Sequence, residues 1–242
     1  MLPEMKALGL AAVCIILASC GQPAENRFVL GLKDADPAHL PLARESGFIF
    51  AVPPPKPGIK NIEWEVESGS SFEDAYSRMS AIENAGTTKR SFMVTLNISN
   101  KRFPSYFELR YHAFLAASRG ADSIVFADSG ESWSQSPEHW QAVARVAGEL
   151  SALAPIFSSG KPIAPTEKLS KGLDAALWHW HGKDYLILLN HGKDCQPPPG
   201  SSVDSRWRPL FEIRRDAVET LALLGHKPCL DPGRVLVLEG SY

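Results

Sequence analysis

Arg110-Tyr111-His112-Ala113-Phe114-Leu115-Ala116-Ala117-Ser118-Arg119-Gly120-Ala121-Asp122-Ser123-Ile124-Val125-Phe126 is the stretch on which the fold turns. Phe107, Tyr111, Phe114, Leu115 and Ser118 recur at helical spacing and predict a helix over 105–119, which Gly120 stops. The apolar run that follows, 123–127, is short enough and apolar enough to be a buried strand. A helix running straight into a buried strand is the unit of an α/β fold.

The same alternation extends upstream. Residues 27–32 read as a short apolar strand, and Asp36-Pro37 has the form of a helix start for 36–45, with Gly47 as its stop and 48–52 as a second buried strand. Pro53-Pro54-Pro55-Lys56-Pro57-Gly58 can join neither ladder nor helix and is a loop. Ile62-Glu63-Trp64-Glu65-Val66-Glu67 alternates apolar with acidic, the period of a half-exposed strand. A helix over 72–84, a strand over 92–98 and a long helix over 137–157 complete the α/β part, five strands and four helices in all.

Past Lys161-Pro162-Ile163-Ala164-Pro165 the pattern changes to short strands: 175–180, 185–190, 207–213, 218–223 and 234–238. His-Gly-Lys-Asp occurs twice, at 181–184 and 191–194, and reads as two polar turns of a β-meander, a functional repeat being the other reading. The chain thus divides into an α/β domain over 27–160 and an all-β domain over 166–242.

The start of the chain has another character. One lysine, Lys6, precedes an uncharged apolar run over 7–17, too short for a span that needs about 20 helical residues. It has the layout of a secretory signal. Leu17-Ala18-Ser19-Cys20 resembles the lipobox of bacterial lipoproteins, which implies cleavage of 1–19, a lipid on Cys20, and 20–26 as a linker. Acyl chains contribute roughly 0.8 kcal/mol per buried methylene, so lipid on Cys20 would hold the chain to a membrane. Gly21-Gln22 resembles an outer-membrane rather than an inner-membrane sorting signal, so the expected place is the cell envelope, outer membrane.

The net charge of −2 carries no basic footprint for nucleic acid. With Cys14 in the signal and Cys20 lipidated, Cys195 and Cys229 remain. In an oxidising compartment they either form a disulfide, closing a ring of about 35 residues, or stay as two thiols. No His or Cys spacing suggests a metal site and no phosphate or dinucleotide fingerprint follows a strand, so neither metal nor cofactor is expected. The flanking glycine of a nucleophile elbow is missing around Ser129.

The 110–126 stretch, with its Arg-Tyr-x-Ala-x-Leu-Ala opening and Gly-Ala before the strand, resembles the last helix and strand of (β/α)8-barrel glycoside hydrolases. The following helix, with Trp140, Glu149, Leu150, Leu153 and Pro155, is similar to their closing helix. The segments Ala176-Leu177-Trp178, 185–190 and 232–238 are similar to the β-sandwich that trails them. The resemblance spans roughly 105–240. It implies a shortened (β/α) barrel-like domain followed by a small all-β sandwich, since a complete barrel takes about 250 residues. Either the barrel is short or a second copy of the chain completes it, which leaves a homo-oligomer open.

Barrel enzymes work at the C-terminal ends of their strands, which selects Asn97, Asp128 and the acids Glu63, Glu65 and Glu67, with Glu131 in the loop after Asp128. Glycoside hydrolysis needs two carboxylates, and Glu65 or Glu67 with Asp128 or Glu131 would supply them if their strands adjoin. Trp133, Trp64 and Trp140 are aromatics suited to stacking on sugar, with Trp133 in the polar loop the best placed and Trp140 better explained as core. The expected function is a carbohydrate-binding lipoprotein, non-catalytic or weakly active, on a glycoside hydrolase fold. The alternative is an active glycoside hydrolase using Glu65, Asp128 and Glu131, with Asn97 and Trp133 binding substrate.

Overall fold

The structure is a computed structural model of the 242-residue chain. It describes residues 28–33, 45–48, 60–84, 92–99, 101–128, 136–163, 169–197, 207–211 and 229–241. The signal and Cys20, the strand expected over 48–52 beyond Phe48, the strand over 218–223, Glu131 and Trp133 lie outside them, as does most of the helix expected over 36–45.

Two sheets enclose one central helix. The first sheet is parallel, with strands β1 (Val29–Lys33), β2 (Lys60–Val66), β3 (Phe92–Ile98) and β4 (Ser123–Asp128) in the order β1-β4-β3-β2. Helices α1 (Phe72–Asn84) and α2 (Tyr106–Ser118) make the crossovers β2 to β3 and β3 to β4. Because the chain steps between neighbouring strands in one direction, right-handed crossovers put both helices on the same face. α3 (Pro137–Ser159) follows β4 and packs beside α2 and against β1.

The second sheet is antiparallel, with β5 (Lys161–Ile163), β6 (Leu173–Trp180), β7 (Lys183–Asn190), β8 (Trp207–Pro209) and β9 (Val235–Ser241) in the order β5-β6-β7-β9-β8. The barrel and sandwich expectations therefore reduce, among the described residues, to a four-stranded parallel arc and one antiparallel sheet. Among the described residues, α2 and α3 pack on that second sheet. The segment 161–163, assigned to neither domain from the sequence, is its edge strand, where Pro162 costs no ladder bond in the sheet's interior. The strand expected over 207–213 stops at Pro209.

α2 explains this arrangement. Residues 109–117 are buried all round, as a helix must be when both faces are covered. One face meets Trp64, Leu96 and Phe126 of the parallel sheet, and the other meets Ile187, Leu189 and Val235 of the antiparallel one, all in a single apolar cluster. Ser105 caps it through a capping box with Glu108. At the far end Gly120, at φ 82, closes a Schellman turn in which Gly120 N–H donates to Ala117 O and Ala121 N–H to Ala116 O.

Polar ties join the layers. Arg110 Nε donates to Glu149 Oε2 at 2.6 Å, its Nη1 donates to the Val235 carbonyl, and the Tyr106 hydroxyl donates to Glu149 Oε1, linking α2, α3 and β9. Arg119 Nη2 reaches Asp174 Oδ2 of β6 at 2.9 Å. Asn190, wholly buried, donates to the carbonyls of Asp194 and Leu230 and accepts from Gly192 N–H.

The two His-Gly-Lys-Asp turns differ. His181 and Gly182, at φ 49 and 75, form the two-residue hairpin between β6 and β7. His191-Gly192 instead folds back so that both N–H groups donate to Gly172 O. Asp231-Pro232-Gly233-Arg234 is a turn closed by Arg234 N–H on Asp231 O, with Gly233 at φ 70 against the Phe72 ring. A Cβ on Gly233 would lie 2.1 Å from Phe72 Cζ. Gly233→Ala is accordingly expected to lower stability by about 2 kcal/mol. A denaturant midpoint equal to wild type would show that Phe72 moves aside freely.

Candidate functional site

Alternation along the parallel strands gives the sheet two unlike faces. Leu30, Leu32, Trp64, Val66, Val94, Leu96, Ile98, Ile124 and Phe126 face the helices and belong to the main core. The other face carries Asn61, Glu63 and Glu65 on β2, Met93, Thr95 and Asn97 on β3, Val125 and Ala127 on β4, and Gly31 and Lys33 on β1. The register aligns these as cross-strand rows. Met93, Val125 and Ala127 are buried yet stand apart from the main core cluster.

The row nearest the C-terminal ends runs Lys33, Ala127, Asn97, Glu65. It places an ammonium and a carboxylate at its two ends and an amide between them, over a floor of alanine. In the next row, Gly31, Val125, Thr95, Glu63, the two polar side chains share Asn61 of β2: Thr95 Oγ1 donates to Asn61 Oδ1 at 3.0 Å, and Asn61 Nδ2 donates to Glu63 Oε1 at 3.4 Å. Glu63 and Glu65 are exposed on the edge strand, and Asn97 is half-buried. Neither Glu65 nor Asn97 is held by another side chain among the described residues. Carboxylates and amides on one face, with small residues between, can donate to and accept from adjacent hydroxyls of a polar ligand.

Of the residues selected from the sequence, Glu65 and Asn97 are brought side by side. Asp128 ends β4 with its backbone opposite Ile98. The condition that β2 and β4 adjoin is not met, because β3 lies between them. Two strand spacings, roughly 10 Å, separate the β2 and β4 backbones. Glu67 is taken by Arg102 at 2.9 Å, a tie that fixes the turn after β2. Trp64 and Trp140 are core residues, 6% exposed each. Lys33, Thr95 and Asn61 were missed, since one strand's alternation says nothing of which strand lies beside it.

A cleft of about 190 Å³ opens at the opposite end of the sheet, lined by Phe28, Asp122, Phe157, Ser158 and Trp178 among others. Its polar groups serve the backbone: Ser158 Oγ accepts from Phe28 N–H and Asp122 Oδ2 from Phe92 N–H. It is a junction of strand starts, and the polar face remains the better candidate. Cys195, Cys229 and Asp231 lie close together, but both sulfurs are consumed in the Cys195–Cys229 disulfide, so the group does not offer the thiolates a metal would need.

No protein-family model and no curated protein matches the sequence. Among solved structures, the chain is similar to an α-amylase from Geobacillus thermoleovorans complexed with acarbose, at 12% identity and TM-score 0.43, over 88% of this chain and 53% of that one. It is similar also to a GH30 endoxylanase from Clostridium papyrosolvens, at 8% identity and TM-score 0.36, over 76% and 49%. A third is the cyclic α-maltosyl-(1→6)-maltose hydrolase from Arthrobacter globiformis, at 11% identity and TM-score 0.39, over 72% and 44%. The chain spans about half the length of these glycoside hydrolases.

Proposed function

We propose that the chain is a carbohydrate-binding lipoprotein, held in the cell envelope by lipid on Cys20, whose ligand surface is the polar face of the parallel sheet. The observation that carries this is the row Lys33, Ala127, Asn97, Glu65. It is a line of hydrogen-bonding groups at the strands' C-terminal ends, on the face opposite the described helices. Hydroxyl-rich ligands suit such a surface, and Trp133 in the loop after β4 would add a stacking ring.

Binding without turnover is the better supported form. A glycosidase acid works from an apolar enclosure, whereas Glu63 and Glu65 stand exposed on an edge strand. The alternative is hydrolysis by Glu65 with Asp128 or Glu131; Asp128 stands in register with Ile98 of the helix-facing side, one residue out of step with the Asn97 and Glu65 row.

The test uses the full chain in detergent against a panel of bacterial and plant polysaccharides, recording binding and reducing-end release together. Binding without release is expected, with Glu65→Gln and Asn97→Ala each weakening it about five- to tenfold, the loss of roughly one charged or neutral hydrogen bond. Release that vanishes in Asp128→Asn or Glu131→Gln would establish the hydrolase instead. No binding to any glycan would overturn both.

A further inference from the structure

His112 is a group that neither the packing nor the polar face requires to be histidine. It lies mid-helix in α2 with no exposed surface, and neither ring nitrogen has a hydrogen-bond partner among the described residues. Its neighbours are rings: Trp64 of β2 edge-on at 5.1 Å, Tyr111 at 5.7 Å, and Phe72 of α1 at 6.3 Å. An imidazole placed so can remain only while neutral, and burial holds its pKa down at about 4, against a smaller upward pull from Glu108.

Glu108 is the charge that acts on it. It lies one turn earlier on α2, where Oε1 accepts from Gly69 N–H at 2.7 Å and Oε2 accepts from Ser105 N–H at 2.7 Å. Burial raises the Glu108 carboxyl, but these bonds and the Ser105 hydroxyl together bring it below its ordinary value. From α1 the facing residue is Phe72, and from β2 it is Trp64, neither titratable. Tyr111 gives its hydroxyl to the Phe72 carbonyl. Glu63 and Glu65 project from the opposite face of β2. The carboxylate within reach of a charged His112 is thus already committed to pinning the turn that follows β2.

We propose that His112 is an acid-operated latch on the β2 edge: proton uptake by the buried imidazole releases β2 and the turn at 67–71, and with them the Glu65 end of the polar face. β2 is suited to this, since among the described residues it pairs with β3 alone, at the edge of the sheet, and edges open locally before cores do. The released segment exposes His112 to water and lets Glu108 turn to it. The consequence for ligand rests on the carbohydrate reading of the face, while the latch itself does not.

The sign follows from linkage. The closed form binds the proton less well than the open form, whose histidine titrates near 6.5, so acid favours opening and the effect is absent above that value. Between about pH 7 and about pH 5 the open population should rise roughly 20-fold. At about pH 5 ordinary carboxylates are still charged, which isolates the histidine. His191 is also held low by burial, but it stacks on Tyr76 of α1, away from β2.

The experiment is amide hydrogen exchange of the full chain at the two pH values, corrected for intrinsic rates, in wild type and in His112→Phe. Acid-driven loss of protection in 60–71 that is absent from the variant is the expected result. Equal loss in both, or none in wild type, overturns the latch. Should His112→Phe fail to fold, an NMR titration of the wild-type imidazole decides: a midpoint near 6.5 with β2 still protected overturns the proposal. A midpoint well below that, with opening, upholds it. Acid opening in a protein that binds no glycan at either pH upholds the latch and overturns the carbohydrate reading.

Discussion

Replacing Glu149 with alanine is expected to lower the unfolding free energy by about 3 to 5 kcal/mol, the largest effect of any single substitution considered for this chain. Arg110 is 1% exposed, and its guanidinium is matched by Glu149 and by the Val235 carbonyl. Take the carboxylate away and a charge remains in the layer between the two sheets with one backbone acceptor. The Tyr106 hydroxyl loses its acceptor too; burial pushes this phenol well above its ordinary range, with Glu149 adding to that, so it is a donor at any working pH. Arg145, 4.0 Å from Glu149, is half-exposed and can turn to water.

Removing both partners together, Arg110→Met with Glu149→Met, should restore much of the loss, because an apolar pair of similar volume leaves no uncompensated charge. Urea midpoints of wild type, single and double variants test this. A single variant within about 1 kcal/mol of wild type would mean that the pair is solvated and that the joint between α2, α3 and β9 is held by packing alone.

Opening the Cys195–Cys229 disulfide, by reductant or by serine at both positions, should lower stability by roughly 3 to 4 kcal/mol on the chain-entropy account. The bond spans a sequence separation of 34, and the Cα atoms stand 5.5 Å apart. Beside it the chain is pinned by Gln196 and Leu230, which exchange N–H···O bonds at 3.0 and 2.8 Å, and by Asn190 on the Leu230 carbonyl. These contacts hold the same two segments, so the reduced protein should keep the β6, β7, β9 ladder and lose protection first around 195–197 and 229–233. A urea midpoint unmoved by reductant would show that the bridge adds nothing to bonds already formed.

Much of the secondary structure was legible because it is decided locally. The helical recurrence around Tyr111 and the glycine at 120 fix α2 and its Schellman end within a residue or two. Alternation in 62–67 marks a strand with one wet face, and β2 is an edge strand with Glu63 and Glu65 exposed. The first His-Gly-Lys-Asp is a turn because two consecutive positive φ angles suit His-Gly. Within the Arg-Tyr-x-Ala-x-Leu-Ala pattern, Arg110 and Tyr111 tie α2 to its neighbours.

What the chain could not state in one dimension is who stands beside whom. Arg110 meets Glu149 across a separation of 39 residues, and Lys33, Asn97 and Glu65 share a face only because β1 pairs β4 and β3 separates β4 from β2. Both follow from burying α2 between two sheets, a long-range demand that no periodicity encodes. Trp64 shows the limit within one strand: period two placed it on the face opposite the glutamates, but only packing against His112 decided that this face is core. The sequence by itself determined the elements and their wet and dry sides, because 3.6- and 2-residue periods are local. The tertiary structure decided the register, and with it the polar row and the histidine that has no hydrogen-bond partner among the described residues, because register is set by which apolar faces must meet.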